Sequence, residues 1–137
     1  MKESIVTKWT DGMAFTADVD GFEISMDAKA ESGGTNQGPR PKPLMMVALA
    51  GCTGMDVISI LKKMRVEVES FSIKVDGDIT EEHPKQFSAM HIIYEFKGNN
   101  LAHDKLEKAV NLSQERYCGV SASYRKAMKI THEIRIL

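Results

Sequence analysis

A chain of 137 residues with 42% hydrophobic content can bury one proper core, since a domain of this size hides roughly two-thirds of its unfolded surface, and a single domain over residues 1–137 is expected. The formal net charge is −1, with Lys and Arg scattered among Asp and Glu, so no basic field recruits nucleic acid or an anionic membrane. The start Met1-Lys2-Glu3-Ser4 lacks the apolar stretch of a signal peptide, and the longest apolar segment, Leu44 to Cys52, is about half the roughly 20 residues a membrane span needs, which points to a cytoplasmic protein.

Strand signals come first. Ser4 to Trp9, Met13 to Val19 and Phe22 to Ala28 are short β-rich runs separated by Asp11-Gly12 and Asp20-Gly21, dipeptides that accept the positive φ angles of tight hairpin turns. Glu31 to Pro43 is rich in Gly, Pro, Asn and Ser and reads as a loop. From Leu44 to about Val66 strong helix formers run without proline, enough to span about 35 Å as the central helix. Its first half is apolar on nearly every side and is expected to be buried all round, whereas the second half is one-sided.

Beyond it, Phe71, Ile73 and Val75 alternate with Ser72, Lys74 and Asp76, and Met90, Ile92, Tyr94 and Phe96 form a second period-2 run, the mark of strands with one face on a core. Leu106, Ala109, Val110 and Leu112 follow helical spacing from His103 to about Tyr117. Gly119 is placed to interrupt that helix, Ser121 to cap a short continuation, and Ile130 to Ile136 to form a last strand. The order βββ-α-ββ-α-β, without strict strand-helix alternation, implies an α+β domain with antiparallel pairing.

Two cysteines, Cys52 and Cys118, carry the chemical interest. In a reducing cytoplasm such thiols are free, catalytic or metal-bound rather than locked in a permanent disulfide. No Cys-x-x-Cys or His-x-x-x-His spacing is present, which argues against a closed zinc site, so no metal is expected. His132 shares a strand face with Ile130, Ile134 and Ile136 and reads as a core or interface histidine. Met45, Met46, Met55 and Met64 along the central helix read as adaptable core filler.

The element order, Pro41-Lys42-Pro43-Leu44 and Gly51-Cys52 on the central helix, and Tyr117-Cys118-Gly119-Val120-Ser121 after the second helix together resemble the OsmC/Ohr family, which contains osmotically inducible protein C and the organic hydroperoxide resistance proteins. The resemblance implies antiparallel sheets packed on a long central helix in an intertwined homodimer. It also implies a thiol peroxidase of oxidative and osmotic stress defence that reduces organic hydroperoxides to alcohols without metal, haem or other cofactor, restored by an external dithiol. On this sequence Cys52 matches the peroxidatic thiol and Cys118 the resolving one.

The family's activating arginine and glutamate have no counterpart: Thr10 or Asp11 stands at the first position and Lys42 or Pro43 at the second, the pattern of a divergent OsmC-like subgroup. Arg40 and Lys42 are the nearest cations that could stabilise a Cys52 thiolate. Asp56, four residues on and so on the same helix face, would disfavour it. The alternative is a non-catalytic hydrophobic-ligand-binding or stress-associated protein on the same fold, its cysteines serving as packing or slow redox sensors. The lack of a basic recognition helix argues against a hydroperoxide-responsive DNA-binding regulator.

Overall fold

The computed structural model describes residues 1–137, and the chain is organised as two compact units, residues 1–45 and residues 46–137. In the first, strands β1 (Val6–Asp11), β2 (Ala14–Val19) and β3 (Phe22–Met26) form an antiparallel sheet in the order β1-β2-β3. Asp20 and Gly21 hold φ of 53° and 83°, the two consecutive left-handed residues that a two-residue hairpin turn demands. Asp20-Gly21 thus turns the chain where the sequence predicts, whereas at the first hairpin Asp11 still pairs with Ala14 and the turn falls on Gly12 and Met13. A short 3-10 turn over Ala30–Ser32 follows.

Asp27, buried at the end of β3, organises the loop beyond it. Its carboxylate accepts the backbone N–H groups of Ala28 (2.7 Å), Thr35 (3.1 Å) and Gln37 (3.1 Å) and the Thr35 hydroxyl (3.3 Å). Those N–H bonds, led by Gln37, hold its pKa below 3.8.

Helix α1 (Pro41–Lys63) begins at the first of the two prolines, where proline's fixed φ suits a helix and its missing N–H costs nothing. By length and composition it is apolar enough to cross a bilayer, but Leu49, Thr53, Val57 and Leu61 are buried in protein. Burial is confined to that stripe: Val47 is 62% and Met55 76% exposed. The expectation of a first half buried all round is thus corrected for the single chain, because one sheet covers one face of a helix.

In the second unit β4 (Ser70–Ile79), β5 (Phe87–Lys97) and β6 (Lys129–Ile136) form a sheet with β5 at its centre. Met90, Ile92, Tyr94 and Phe96, on one face of β5, are at most 1% exposed, and Phe71 stacks on Phe96 with ring centroids 4.5 Å apart. Leu106, Ala109 and Val110 of helix α2 (His103–Leu112) complete the core. Each such large apolar side chain stabilises the fold by about 1.5–3 kcal/mol.

β4 and β5 pair antiparallel as expected, but β5 and β6 run parallel. The reason is the connection: α2, a π-turn (Ser113–Tyr117) and helix α3 (Gly119–Arg125) lie between them, and a helical crossover returns the chain in its original direction.

Candidate active site

The functional side chains follow from how two helices end and face. On α1, Cys52 and Asp56 sit one turn apart, each immediately before a buried stripe residue, Thr53 and Val57. The other half of the site depends on a departure from helical geometry. After Leu112 the chain widens into the π-turn, closed by the Cys118 N–H to the Ser113 carbonyl at 2.8 Å, a device frequent at functional sites.

Cys118 then leaves the helix with φ −74° and ψ 101°. It, not Ser121, is the N-cap of α3: its Sγ accepts the Ser121 N–H at 3.3 Å. The break also falls at Cys118 rather than at Gly119, which opens α3. Sulfur, like a hydroxyl oxygen, can accept a helix's unpaired N–H groups, which is why the cysteine can end one element and begin another.

These two constructions bring three groups together. Cys52 Sγ, Cys118 Sγ and a carboxylate oxygen of Asp56 lie within 4.8 Å of one another. Both thiols are free; Cys118 is buried and Cys52 half-buried. Burial pushes the Cys52 thiol above its ordinary 9.0, with Cys118 and the negative charge of Asp56 adding to the rise, while the Val120 N–H bonded to Cys52 pulls the other way. The effect anticipated for Asp56 is therefore present. Burial, then Cys118, also raises the Tyr124 phenol.

Behind the thiols lies a buried polar chain that sequence reasoning missed. The Ser113 hydroxyl donates to Asp56 Oδ2 at 2.9 Å, so Ser113 Oγ accepts from Thr53 Oγ1 at 2.7 Å. With the Thr53 hydrogen so used, the Tyr94 hydroxyl donates to Thr53 at 2.7 Å, and Gln114 Nε2 donates to Tyr94 at 2.7 Å and to Thr53 at 3.2 Å. Arg125 fixes Gln114 through Nη2 to Oε1 (2.7 Å) and Nη1 to the main-chain carbonyl (2.6 Å).

All hydroxyl hydrogens in this chain thus point one way, from the Arg125 guanidinium toward the Asp56 carboxylate, and hydrogen bonds so aligned polarise one another. Burial pushes the Tyr94 phenol up, which keeps it a donor. A signal for the chain existed: Thr53 and Tyr94 are polar groups at positions of apolar stripes, where a hydroxyl must find a partner.

Of the other sequence candidates, Arg40 and Lys42 belong to the unit of residues 1–45. The Arg40 guanidinium donates to the Gly38 carbonyl (2.7 Å) and to Asn36 Oδ1 (2.8 Å), and Lys42 is exposed in the first turn of α1. His132 is exposed on β6 and set edge-on to the Tyr94 ring, 6.1 Å between centroids, so of the expected core or interface placement the core is ruled out. His91 bonds Thr131 at 2.7 Å and lies 3.4 Å from Glu133, and His103 lies 3.6 Å from Glu107.

Comparison with known proteins agrees with this architecture. Protein YhfA of Escherichia coli strain K12 is 33% identical over 131 residues, 95% of each chain. A crystal structure of a hypothetical protein from Aquifex aeolicus VF5 superposes with a TM-score of 0.83 at 30% identity, over 100% of this chain and 98% of that one. The organic hydroperoxide resistance protein OhrB of Bacillus subtilis shares the fold, with a TM-score of 0.69 at 16% identity over 98% of each chain. The profile of the OsmC-like protein family matches residues 34–133, and the chain belongs to that family.

Proposed function

We propose that the protein is a thiol-dependent peroxidase that reduces organic hydroperoxides to alcohols, in the cytoplasm and as a homodimer. The observation that carries this reading is the meeting of two free thiols from distant parts of the chain within 4.8 Å. The likeness of fold to organic hydroperoxide resistance proteins supports it.

In this reading the Cys52 thiolate attacks the distal oxygen of the hydroperoxide. The O–O bond breaks, the alkoxide takes a proton and leaves as alcohol, and Cys52 becomes a sulfenic acid. The Cys118 sulfur then attacks Cys52, a disulfide forms and water leaves. An external dithiol reduces that disulfide by exchange and returns both thiols, so no cofactor enters the cycle.

The Val120 N–H, which already favours the charged form of Cys52, steadies the thiolate in this scheme. Arg40 and Lys42 are its proposed cations, and Arg40→Ala and Lys42→Ala are each expected to slow Cys52 oxidation in stopped flow; unchanged rates would remove them from this role. The cleft beside Asp56, about 420 Å3, with Ile60, Met64, Leu112 and Tyr117 on its apolar wall and Ser59, Lys63 and Lys108 on its polar one, is the proposed seat of the organic moiety.

A second reading, a non-catalytic binder of hydrophobic ligands, is favoured by the upward displacement of the Cys52 thiol. Turnover separates the two. With dithiothreitol as reductant, cumene hydroperoxide is consumed catalytically by the wild-type protein and not by Cys52→Ser; no turnover above the protein-free rate supports the binder.

A further inference from the structure

The three groups that meet at the cysteines have a property the peroxidase cycle does not use. Two sulfurs and a carboxylate oxygen, all within 4.8 Å of one another, are a donor set for a thiophilic divalent ion. Around a tetrahedral Zn2+ with bonds of about 2.3 Å to sulfur and 2.0–2.2 Å to oxygen, ligand atoms stand roughly 3.5–3.8 Å apart. The observed cluster needs to draw in by at most about 1.3 Å to reach that spacing. We infer that the reduced protein binds one soft divalent cation, of the Zn2+ or Cd2+ type, through Cys52, Asp56 and Cys118, with a fourth position left for water or another small ligand.

Three features beyond proximity support the site. The surroundings of each ligand suit a metal-bound anion: the Val120 N–H is bonded to Cys52, the Ser121 N–H to Cys118 Sγ at 3.3 Å, and the Ser113 hydroxyl to Asp56 Oδ2 at 2.9 Å. Such outer donors orient ligands and tune their basicity. Next, the charge balances. Two thiols and one carboxylate carry −1; two thiolates, one carboxylate and M2+ also carry −1, the two thiol protons passing to solvent, so binding adds no net charge to a half-buried site. Finally, two sulfurs select thiophilic ions over Mg2+ and Ca2+.

Such a site is not visible as a short ligand spacing, because α1 supplies Cys52 and Asp56 while Cys118 comes from the N-cap of α3. The inference stands whether or not the protein is a peroxidase, since it concerns only the reduced state. It has a regulatory corollary: the ion and a peroxide compete for the same sulfurs, and a Cys52 to Cys118 disulfide expels the ion.

The test is titration of the fully reduced, full-length protein with Cd2+, and separately with Zn2+ against a competing chromogenic chelator. The expected result is one ion per chain, thiolate-to-cadmium charge-transfer absorption, and no comparable binding of Mg2+. Cys52→Ser, Cys118→Ser and Asp56→Asn should each weaken binding by about tenfold or more. A variant that does not fold by circular dichroism is replaced by a measurement on the wild type, in which one equivalent of Zn2+ slows alkylation of both cysteines at least about tenfold. Undiminished affinity in Asp56→Asn, binding indifferent to the cysteines, or alkylation unslowed by Zn2+ would each overturn the site.

Discussion

Asp56 is where the electrostatics of the site are most open to measurement. Burial is the largest cause of the raised Cys52 pKa, Cys118 adds to it, and the Asp56 charge, one helical turn away, adds the smallest of the upward shifts. A thiol is reactive as its anion, so a raised pKa means that reactivity grows as pH rises. The rate of Cys52 alkylation by iodoacetamide is therefore predicted to keep climbing beyond pH 9.0, the ordinary thiol value. Asp56→Asn removes one cause of the rise and moves the profile toward neutral pH, each unit of fall raising the thiolate fraction about tenfold. An unmoved profile would mean that burial and Cys118, without Asp56, raise the Cys52 pKa. Thr53 offers a stability test of the buried chain. Thr53→Val keeps the shape but strips Tyr94 of its acceptor and Ser113 of its donor, and should cost about 1–3 kcal/mol, read as a fall in Tm. Ser121 runs the opposite way: its buried hydroxyl has no hydrogen-bond partner, so Ser121→Ala should leave Tm unchanged or raise it.

At the scale of elements, what could be read from the sequence was what local chemistry dictates. Asp20-Gly21 needs left-handed backbone and period-2 alternation needs a strand, and both stand as read. The parallel pairing of β6 was not legible, because alternation along Ile130 to Ile136 is the same whichever way the strand runs. The π-turn was hidden because Ser113–Tyr117 are residues that an ordinary helix tolerates; only the buried partners of Ser113 and Gln114 make the wider turn worthwhile. Cys118 was legible as a chemical residue and not as a cap. The loop after β3 depends on Asp27, and its pH dependence follows in sign from the bonds it accepts. Asp27 has a folded pKa below the unfolded 3.8, so its ionised form stabilises the fold fully above that value, and the contribution is lost as pH falls through the folded pKa. Thermal melts from pH 6 downward should show Tm dropping across the acid range below about 4 more steeply in wild type than in Asp27→Asn. Equal slopes would remove Asp27 from the account. Gly34 is fixed by the same loop, since a Cβ there would overlap the Ala28 carbonyl, and Gly34→Ala is predicted to lower Tm.

Over the whole molecule, the exposed apolar surface is the feature a single chain leaves unexplained. Along α1 and β4 a shallow groove of about 580 Å3 is lined by Val47, Gly51, Met55, Ile58, Phe71 and Ile73, and in the first unit Trp9 and Phe22 are 65% and 74% exposed. An apolar groove such as the one along α1 and β4 marks an interface, and a second copy of the chain is its proposed cover. Light scattering after size exclusion is predicted to give twice the chain mass for wild type and the single-chain mass for folded Met55→Glu; a monomeric wild type would contradict the dimer. The central claim, however, rests on the two sulfurs, and it is tested most directly by mixing reduced protein with a slight excess of cumene hydroperoxide or of hydrogen peroxide, following thiol loss by stopped flow and mapping the product by mass spectrometry. Rapid loss is expected, faster with the organic peroxide, ending in a Cys52 to Cys118 disulfide and abolished by Cys52→Ser. Slow loss at equal rates for both peroxides, with no such disulfide, would contradict it.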